Sequence, residues 1–592
     1  MPAPQRAPSP IPLAQHIPTL LFIALTALTA TLVSRVQPSP YIDEIFHVPQ
    51  AQRYCSALSG FPLSQVWRRA RDVEYDAKLT TPLGLYAISV GLAKVLPGWE
   101  CGDVAWLRST NLVLLLTLPV LVARVIRQNE EQAQEVSSSG RKQTPKAPAK
   151  KVISRRDIEQ LQAKAKLEQP LTPTTSHDDL PSIEPPSITA QPAPVAPPTA
   201  TLPHAPKRKE ATPYTMAVAC TICFLPPLWF FGFLYYTDLA SIWLVLATWT
   251  LYNDLNVHRT VRTGAMIALA SVWAVLVRQT NIVWVGFCAA QATLNSIAKL
   301  YGQETRGLMA EVRAILVAAF GRKRRQFWRV VGMNVVPMVP MLVGCAWFIR
   351  WNGSIVLGDK TNHQAGLHFA QLGYFIAFAS VFGAFPLLSS LQTASSTSIL
   401  APTRTAISTL THAALGTPSS VTTLAATLLA FYAAVDRYTL EHAFLLADNR
   451  HYTFYLWRAF RRSYTLVSIT IHPRYAAVPL YALAYTAWSA ALACRGRGAR
   501  VSGVLFWLAC AATLVPTPLI EVRYFLMPYV VLRVMCVGKG GGRRWVWLGL
   551  ELAVSAVVNA ATVGLFVGRS FEWKADAVDR GRGEGRVMRF IW

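Results

Sequence analysis

The chain of 592 residues is 52% hydrophobic and only 15% charged, whereas charged residues make up about 25% of an ordinary soluble domain. This composition excludes a soluble globular protein and predicts an all-α polytopic membrane protein. The formal net charge of +26 does not indicate a nucleic-acid partner, because the basic residues lie in short loops between apolar stretches, where they orient helices in the bilayer.

Apolar windows of about 17 to 23 residues recur along the chain, and each is close to the ~20 residues that a helix needs to cross a membrane. We predict about 12 to 14 such spans, the first two at about residues 17 to 35 and 109 to 127. The apolar run of the first window is longer than the ~15 residues of a secretory signal, and no small-residue cleavage site follows it. We therefore expect it to remain as a span.

The loop after the first window begins with YIDEIFHVPQAQRYC, Tyr41 to Cys55. Its polar and apolar residues alternate as in an amphipathic helix at the membrane interface; a solvated turn beside the membrane is the alternative. Asp43 and Glu44 are adjacent and point to different sides of a helical turn. At most one of these two acids can therefore face a given cavity.

The same loop continues with an apolar stretch, TPLGLYAISVGLAKVL, from Thr81 to Leu96. At about 16 residues it is short for a span. We interpret it as a helix that lies at, or dips into, the membrane interface, and a tilted span is the alternative.

The nine cysteines include no CxxC pair with a matching histidine, so we expect neither a metal site nor a redox site, and no cofactor. Cys55 and Cys101 both lie outside apolar windows. They can form a disulfide if their side of the membrane is oxidising.

Changes in composition divide the chain into three parts. Residues 1–127 hold the first spans and the loop with the two acids, residues 128–212 form an insert rich in Ser, Pro and Lys that we expect to be disordered, and residues 213–592 hold the remaining spans and loops. Clusters of Lys and Arg in the insert and in later loops predict that these segments face the cytosol. The segments that then share the opposite face are Pro38 to Arg108, Trp351 to Gly373, about Asp436 to Arg458, and Pro516 to Met527.

The three later segments on that face are rich in polar groups. The first carries the glycosylation pattern Asn352-Gly353-Ser354 and a set of amides, imidazoles and one cation suited to a polyol and an anion; a structural role for either histidine is the alternative. Charged groups are scarce in mid-span, which disfavours a pore or an ion-coupled carrier, and Arg278 in AVLVRQTNIVWV is interpreted as part of a short turn. The polar residues singled out are Lys360, Asn362, His363, Gln364, His368 and Gln371 in the first segment, Asp448, Asn449, Arg450 and His451 in the second, and Glu521 and Arg523 in the third.

Seven motifs together resemble one family: YIDEIFHVPQAQRYC, LTTPLGLY, VRQTNIVWV, GDKTNHQAGLHFAQ, LLADNRHYTFYLWR, EVRYFLMPY and RFIW. The family comprises endoplasmic-reticulum glucosyltransferases that use dolichyl-phosphate-glucose to attach the third, terminal α-1,2-linked glucose to the lipid-linked N-glycan precursor. The resemblance extends from Tyr41 to Trp592 without the insert, and Ala77 and Leu83 stand where the family tends to have prolines. It implies a GT-C type glycosyltransferase with luminal juxtamembrane helices in the endoplasmic-reticulum membrane, an active site in the lumen, and an inverting transfer to a diglucosylated dolichyl-pyrophosphate oligosaccharide.

The resemblance also suggests roles for individual residues. Asp43 matches the acid in the first luminal loop of GT-C enzymes, and we expect it to act as the general base, with Glu44 as the alternate. The candidate partners of the donor phosphate are Lys360, His363, Arg450, His451 and Arg523, and the candidate ligands of sugar hydroxyls are Asn362, Gln364, His368 and Gln371.

Two other classes of function compete with this interpretation. A membrane regulatory subunit that associates with an ion channel would need no general base. A lipid or sugar carrier would show internal repeats and discontinuous helices, and no repeat between the halves of the sequence is visible.

Overall fold

The computed structural model describes residues 16–58, 60, 62–143, 212–301, 307–358, 360, 364–391, 401–466, 469–493, 498–537, 544–572 and 587–592. Nearly all regular structure in these ranges is helical, and the strands form two antiparallel pairs, β1 with β2 and β3 with β4. The elements are α1 (Ile17–Val36), α2 (Glu44–Leu58), α3 (Leu63–Arg71), α4 (Gly84–Val95), α5 (Val104–Gln143), α6 (Pro213–Cys223), α7 (Pro226–Phe231), α8 (Thr237–His258), α9 (Val261–Val277), α10 (Asn281–Tyr301), α11 (Leu308–Phe320), α12 (Arg324–Val335), a 3-10 turn (Val336–Met338), α13 (Val339–Asn352), α14 (Ala370–Phe382), α15 (Ala384–Leu391), α16 (Ala401–Leu415), α17 (Pro418–Arg437), α18 (Ala443–Ala447), α19 (Tyr452–Arg461), β1 (Tyr464–Leu466), β2 (Ile469–Ile471), α20 (Pro473–Ala476), α21 (Val478–Ala493), α22 (Ala499–Leu514), a 3-10 turn (Val522–Phe525), α23 (Leu526–Met535), α24 (Arg544–Gly568), β3 (Ser570–Glu572) and β4 (Val587–Arg589).

Long apolar helices confirm an all-α polytopic membrane protein. Helices or continuous helix pairs that are long and apolar enough to cross a bilayer in the described ranges are Ile17–Val36, Val104–Glu135, Arg324–Asn352, Pro418–Arg437, Pro473–Ala493 and Arg544–Gly568. A seventh candidate is the pair α14 and α15, whose two helices are bent by 82°. The predicted number of about 12 to 14 spans is not confirmed, because several apolar windows form helices shorter than a span: Gly84–Val95, Pro213–Cys223, Val261–Val277 and Ala499–Leu514.

Helix α1 illustrates how these spans divide their surface between protein and lipid. Its buried face carries Thr26, whose hydroxyl accepts a hydrogen bond from the indole Nε1 of Trp229 at 3.0 Å. On the opposite side Leu20, Leu21 and Leu28 are each more than half exposed. A continuous exposed apolar face of this kind fits lipid contact, because leucine is as apolar as the acyl chains around it.

The first loop forms helix α2, in agreement with the predicted helix. Its polar side chains Glu44, His47 and Gln50 are buried, whereas Ile45 is well exposed. The polar side of the helix therefore faces the protein interior, which excludes a solvated turn at this place.

The apolar stretch from Thr81 to Leu96 forms the 12-residue helix α4, too short to span a bilayer. It begins where its backbone touches the end of α9: a Cβ atom at Gly84 would lie 2.6 Å from main-chain atoms of Leu276 and Val277. Only glycine permits this approach. The contact places α4 and the preceding residues beside the turn that joins α9 to α10.

Cys55 and Cys101 form a disulfide, the pairing that their position outside the apolar windows allowed. The bond joins α2 to the residues that precede α5. The free cysteines among the described residues are all buried or half-buried, in a helix or, for Cys536, directly after one.

The boundary predicted at residue 128 needs a correction, because α5 continues past it to Gln143. Gln128 and Gln132 are buried and bond to Asp254 and Asn253 of α8. These side chains look like the start of a polar insert in the sequence, but they pair with polar groups on a neighbouring helix. The rest of the insert, residues 144–211, lies outside the described residues; most of it belongs to a second unit, residues 141–210, while residues 1–140 and 211–592 form the first.

Candidate active site

A cavity of about 220 Å³ lies where five separate parts of the chain meet. They are the start of α2, the segment between α7 and α8, the residues around α18 and α19, the segment that leads into α23, and Trp592. The polar residues in its wall are Asp43, Tyr236, Asp448, Arg450, His451, Thr453, Glu521 and Arg523. The structure thus brings together Asp43, Arg450, His451 and Arg523, which the sequence predicted to share one face of the membrane.

An ion pair between Asp43 and Arg523 joins two sides of the cavity across 480 positions of sequence. The same guanidinium also donates to Glu521, and it lies over the ring of Tyr236 at 5.4 Å. The side chain of Asp43 is 31% exposed and that of Arg523 is 17% exposed, so the carboxylate remains accessible from the cavity.

The environment of Asp43 keeps it ionised. Burial by itself would raise the pKa of this carboxyl, but the positive charge of Arg523 and its hydrogen bond outweigh burial and hold the pKa below its ordinary value. Asp43 is therefore a carboxylate at neutral pH, the form that can accept a proton.

Glu44 faces away from the cavity, and its oxygens are occupied. Oε1 accepts from Arg108 Nε at 2.9 Å and from the Tyr235 backbone at 2.7 Å, and Oε2 accepts from Arg108 Nη2 at 2.6 Å and from the Tyr41 backbone at 3.0 Å. Both Glu44 and Arg108 are buried. Because both oxygens already accept two hydrogen bonds each and the side chain does not border the cavity, the geometry disfavours Glu44 as the alternate base and gives it a structural role.

We expect Glu44→Gln to destabilise the protein by about 3–5 kcal/mol, since it leaves the guanidinium of Arg108 buried without a countercharge. Thermal unfolding of the purified protein in detergent measures this. The control is Glu100→Gln, the same chemical change at an exposed acid. Equal unfolding temperatures for the two variants would contradict a structural role for Glu44.

The residue between Tyr41 and Asp43 has a strained backbone. Ile42 has φ of 51°, in the left-handed region, which a β-branched residue adopts only at a cost of about 1–3 kcal/mol. Such a conformation persists only where the surrounding contacts enforce it. The backbone conformation of the turn before Asp43 is therefore imposed by contacts with neighbouring residues, and not by the intrinsic φ preference of isoleucine.

A second part of the cavity wall carries Arg450 and His451. Arg450 donates two hydrogen bonds to Asp448, at 2.8 and 2.6 Å. His451 Nε2 lies 3.6 Å from the same carboxylate, and its Nδ1 is 2.7 Å from the main-chain oxygen of Trp592. This wall thus places a guanidinium and an imidazole beside the cavity, with one carboxylate between them.

Several residues predicted to bind substrate lie elsewhere. Lys360 is exposed and donates to the Asn352 carbonyl at 2.7 Å; Gln364 is exposed and borders neither cavity described here. Asn362 and His363 lie outside the described residues. The side chain of Asn352 donates to two backbone carbonyls, so a glycan on it would displace one of these bonds, and its glycosylation stays a prediction.

The expectation that His368 and Gln371 bind sugar hydroxyls is corrected by their burial. Both are fully buried, and burial lowers the pKa of His368 to about 4, which leaves the imidazole neutral. Gln371 donates to the carbonyls of Thr517 and Leu519 at 3.2 and 2.6 Å. It therefore braces the segment that carries Glu521 and Arg523 and does not reach a cavity.

A second cavity, of about 360 Å³, adjoins the first and shares Arg523 with it. Arg278 lies in its wall, ion-paired with Asp238 and 5.4 Å from the ring of Tyr524. The expected turn at Arg278 is confirmed, since α9 ends at Val277 and α10 begins at Asn281. The remaining wall combines amide and hydroxyl groups with apolar side chains of α8, α10 and α23: Thr80, Gln279, Asn281, Thr517, Ile242, Val283, Leu526 and Met527.

Three residues escaped the sequence reasoning: Tyr236 and Asp238, which border the cavities, and Arg108, which pairs with Glu44 behind them. Arg108 and Asp238 are single charged residues close to apolar windows. This position was the one feature of the sequence that could have identified them as candidate functional residues. In the part of the chain that the structure describes, no three His, Cys, Asp or Glu side chains are grouped to hold a metal ion. The smaller cavity thus brings three carboxylates, Asp43, Asp448 and Glu521, together with the cations Arg450 and Arg523. Asp43 is the most exposed of the three carboxylates, at 31% against 19% and 18%.

Comparison with known proteins agrees with this picture. A model described as the DIE2/ALG10 family matches residues 37–149 and 195–534. A protein of Mycosarcoma maydis is 55% identical over 98% of this chain and 99% of its own length, and proteins of Mus musculus and Arabidopsis thaliana are each 28% identical over at least 96% of both chains. All three are named Dol-P-Glc:Glc(2)Man(9)GlcNAc(2)-PP-Dol alpha-1,2-glucosyltransferase. No solved structure matches the chain.

Proposed function

The chain belongs to the DIE2/ALG10 family, and from this membership we propose that it is the enzyme its relatives are named for. It transfers glucose from dolichyl-phosphate-glucose to the Glc(2)Man(9)GlcNAc(2) oligosaccharide on dolichyl pyrophosphate, in α-1,2 linkage. This is the final step in assembly of the lipid-linked precursor for N-glycosylation. The observation that carries the proposal is the 55% identity to an enzyme of that name over nearly the full chain, and the names of the relatives favour it over a channel-associated subunit.

The proposed mechanism is a single inverting displacement. Asp43 takes the proton of the acceptor's 2-hydroxyl, the oxygen attacks the anomeric carbon of the donor glucose, and the bond from that carbon to the phosphate oxygen breaks. Dolichyl phosphate leaves as an anion, so no acid is needed to protonate it. The low pKa of Asp43 supports this role, because the base is ionised before the acceptor arrives.

The two adjoining cavities support separate binding sites for the donor and the acceptor. Asp43 borders only the smaller cavity, so the acceptor hydroxyl enters there, while Arg523 borders both. The larger cavity has an apolar wall suited to a lipid and adds Arg278. We therefore place the donor phosphate between Arg278 and Arg523, where two guanidinium groups stabilise its negative charge as it leaves.

The other predicted phosphate partners divide by position. Arg450 and His451 border the smaller cavity together with Asp43 and remain candidates for contact with the acceptor or the departing phosphate. Lys360 borders neither cavity described here, so we assign it no contact with the reacting groups.

We place the site in the lumen of the endoplasmic reticulum. Two observations support this location: the disulfide between Cys55 and Cys101 near α2, which requires an oxidising compartment, and the glycosylation pattern at Asn352 in another segment of the same predicted face. We place the site at the height of the headgroups, because both lipid-linked substrates carry their reactive ends there.

The test is an assay of the purified full-length protein with labelled dolichyl-phosphate-glucose and diglucosylated lipid-linked oligosaccharide. We expect a triglucosylated product whose new glucose is released by an α-1,2-specific glucosidase. The monoglucosylated oligosaccharide serves as the matched control and should accept little glucose. Absence of product from the diglucosylated acceptor, with folded protein, would reject the proposed function.

A further inference from the structure

The motif RFIW has no part in the mechanism above, yet it lies against the site. It belongs to residues 587–592, which begin with strand β4 and pair with β3 just after α24. Met588 and Ile591 of this segment are buried, and Trp592 borders the smaller cavity. The segment therefore packs as part of the folded core although it is far in sequence from the other walls of the cavity.

Arg589 ties the segment to the turn that presents Asp43. The Tyr41 hydroxyl donates to the Arg589 carbonyl and accepts from the Arg589 backbone N–H at 2.8 Å. The Arg589 guanidinium donates to the carbonyls of Phe566 and Val567 at 2.7 and 3.0 Å, which anchors it to the end of α24. Tyr41 is two residues before Asp43, and the strained Ile42 lies between them.

The last two residues of the segment hold the part of the wall that carries Arg450 and His451. The Ile591 N–H donates to the Arg450 carbonyl at 2.9 Å, and the Ile591 carbonyl accepts from the Tyr452 N–H at 2.9 Å. The main-chain oxygen of Trp592 is 2.7 Å from Nδ1 of His451. Since that oxygen can only accept, His451 carries a proton on Nδ1, which fixes the orientation of its ring.

We propose that residues 587–592 are a positioning element of the active site, which sets the place of Asp43 through Tyr41 and the orientation of His451 through Trp592. The inference builds on the proposed function, because it takes Asp43 as the base. One short segment spans the two walls between which the acceptor must fit, so a change in it alters the distance between base and cations without removing either. Misplacement of about 1 Å is enough to slow an oriented reaction strongly.

The test is Tyr41→Phe, which keeps the buried ring and removes only the hydroxyl that binds Arg589. We expect kcat to fall about tenfold or more, with KM for both substrates within about twofold and an unfolding temperature close to that of the parent. Ile591→Val should keep the parent kcat, whereas Ile591→Ala should lower it, since valine retains the buried anchor. Tyr475→Phe is the matched control, because it removes the same group from a tyrosine whose hydroxyl donates to Asp436 and which borders neither cavity described here.

A double-variant cycle with Asp43→Asn separates positioning from general structural damage. If Tyr41 acts through Asp43, Tyr41→Phe should lower the residual rate of Asp43→Asn by less than about twofold. An equal loss in both backgrounds, or a parent-like kcat for Tyr41→Phe, would overturn the inference while leaving the proposed function intact. Absence of transferase activity in the parent protein would instead reject the proposed function itself.

Discussion

Asp43→Asn is expected to reduce kcat for glucose transfer by about 10³-fold, within the 10²–10⁴-fold range that general-base catalysis contributes. Asparagine has nearly the shape of aspartate but cannot accept the proton of the acceptor hydroxyl. It also removes the charge that pairs with Arg523. The rate is measured with the purified protein, labelled dolichyl-phosphate-glucose and saturating diglucosylated acceptor.

The control for this experiment is Asp254→Asn. Asp254 is also ion-paired with an arginine, Arg124, but on α8 and α5 and in the wall of neither cavity described here. It should retain a parent-like rate. Near-normal transfer by Asp43→Asn would rule out Asp43 as the base. Because the carboxylate of Glu44 is buried and fully hydrogen-bonded, the base would then be a residue that is not proposed here.

Arg523→Met is expected to lower kcat by about 10²–10³-fold, the loss typical of removing one group that stabilises developing negative charge. Arg523 borders both cavities, so its loss should also raise KM for the lipid donor more than KM for the acceptor. Arg523→Lys should recover part of the rate, because it restores the charge without the planar guanidinium. An equal rise in both KM values would contradict the placement of the donor phosphate at Arg523.

The pH dependence of the Arg523→Met rate gives a second test, and the structure predicts the direction in which the rate profile shifts. Asp43 is active as a base only above its pKa, and Arg523 holds that pKa below its ordinary value. Without Arg523 the pKa rises, so the acidic limb of the rate profile should move to higher pH. The variant should therefore lose more activity at mildly acidic pH than at neutral pH. Arg124→Met, which removes the arginine of a distant pair, should leave the limb in place.

Much of the local structure around the site could be predicted from sequence. The alternation of polar and apolar residues predicted helix α2, and adjacency along a helix showed that Asp43 and Glu44 cannot face one cavity together. The short length of the stretch at Thr81 predicted a helix that does not span. These features depend on residues within a few turns of one another, which sequence patterns report directly.

The roles of individual polar side chains could not be predicted in this way. His368 and Gln371 have the chemistry of sugar ligands, but they are buried under the segment that they brace. Glu44 has the chemistry of a base, but its carboxylate is buried in an ion pair with Arg108. In each case the side chain's partner comes from a distant part of the chain, so residue type and spacing alone do not reveal which groups are satisfied.

By itself the sequence determined the membrane-spanning helical class and the family resemblance, and it singled out the acids of the first loop and two cysteines able to pair. Only the tertiary structure decided that Asp43 meets Arg523, 480 positions away, and that Tyr41 meets Arg589, 548 positions away. The physical reason is that helix formation and bilayer insertion follow from local apolar periodicity and length. The site is made by loops whose meeting depends on how all the helices pack together.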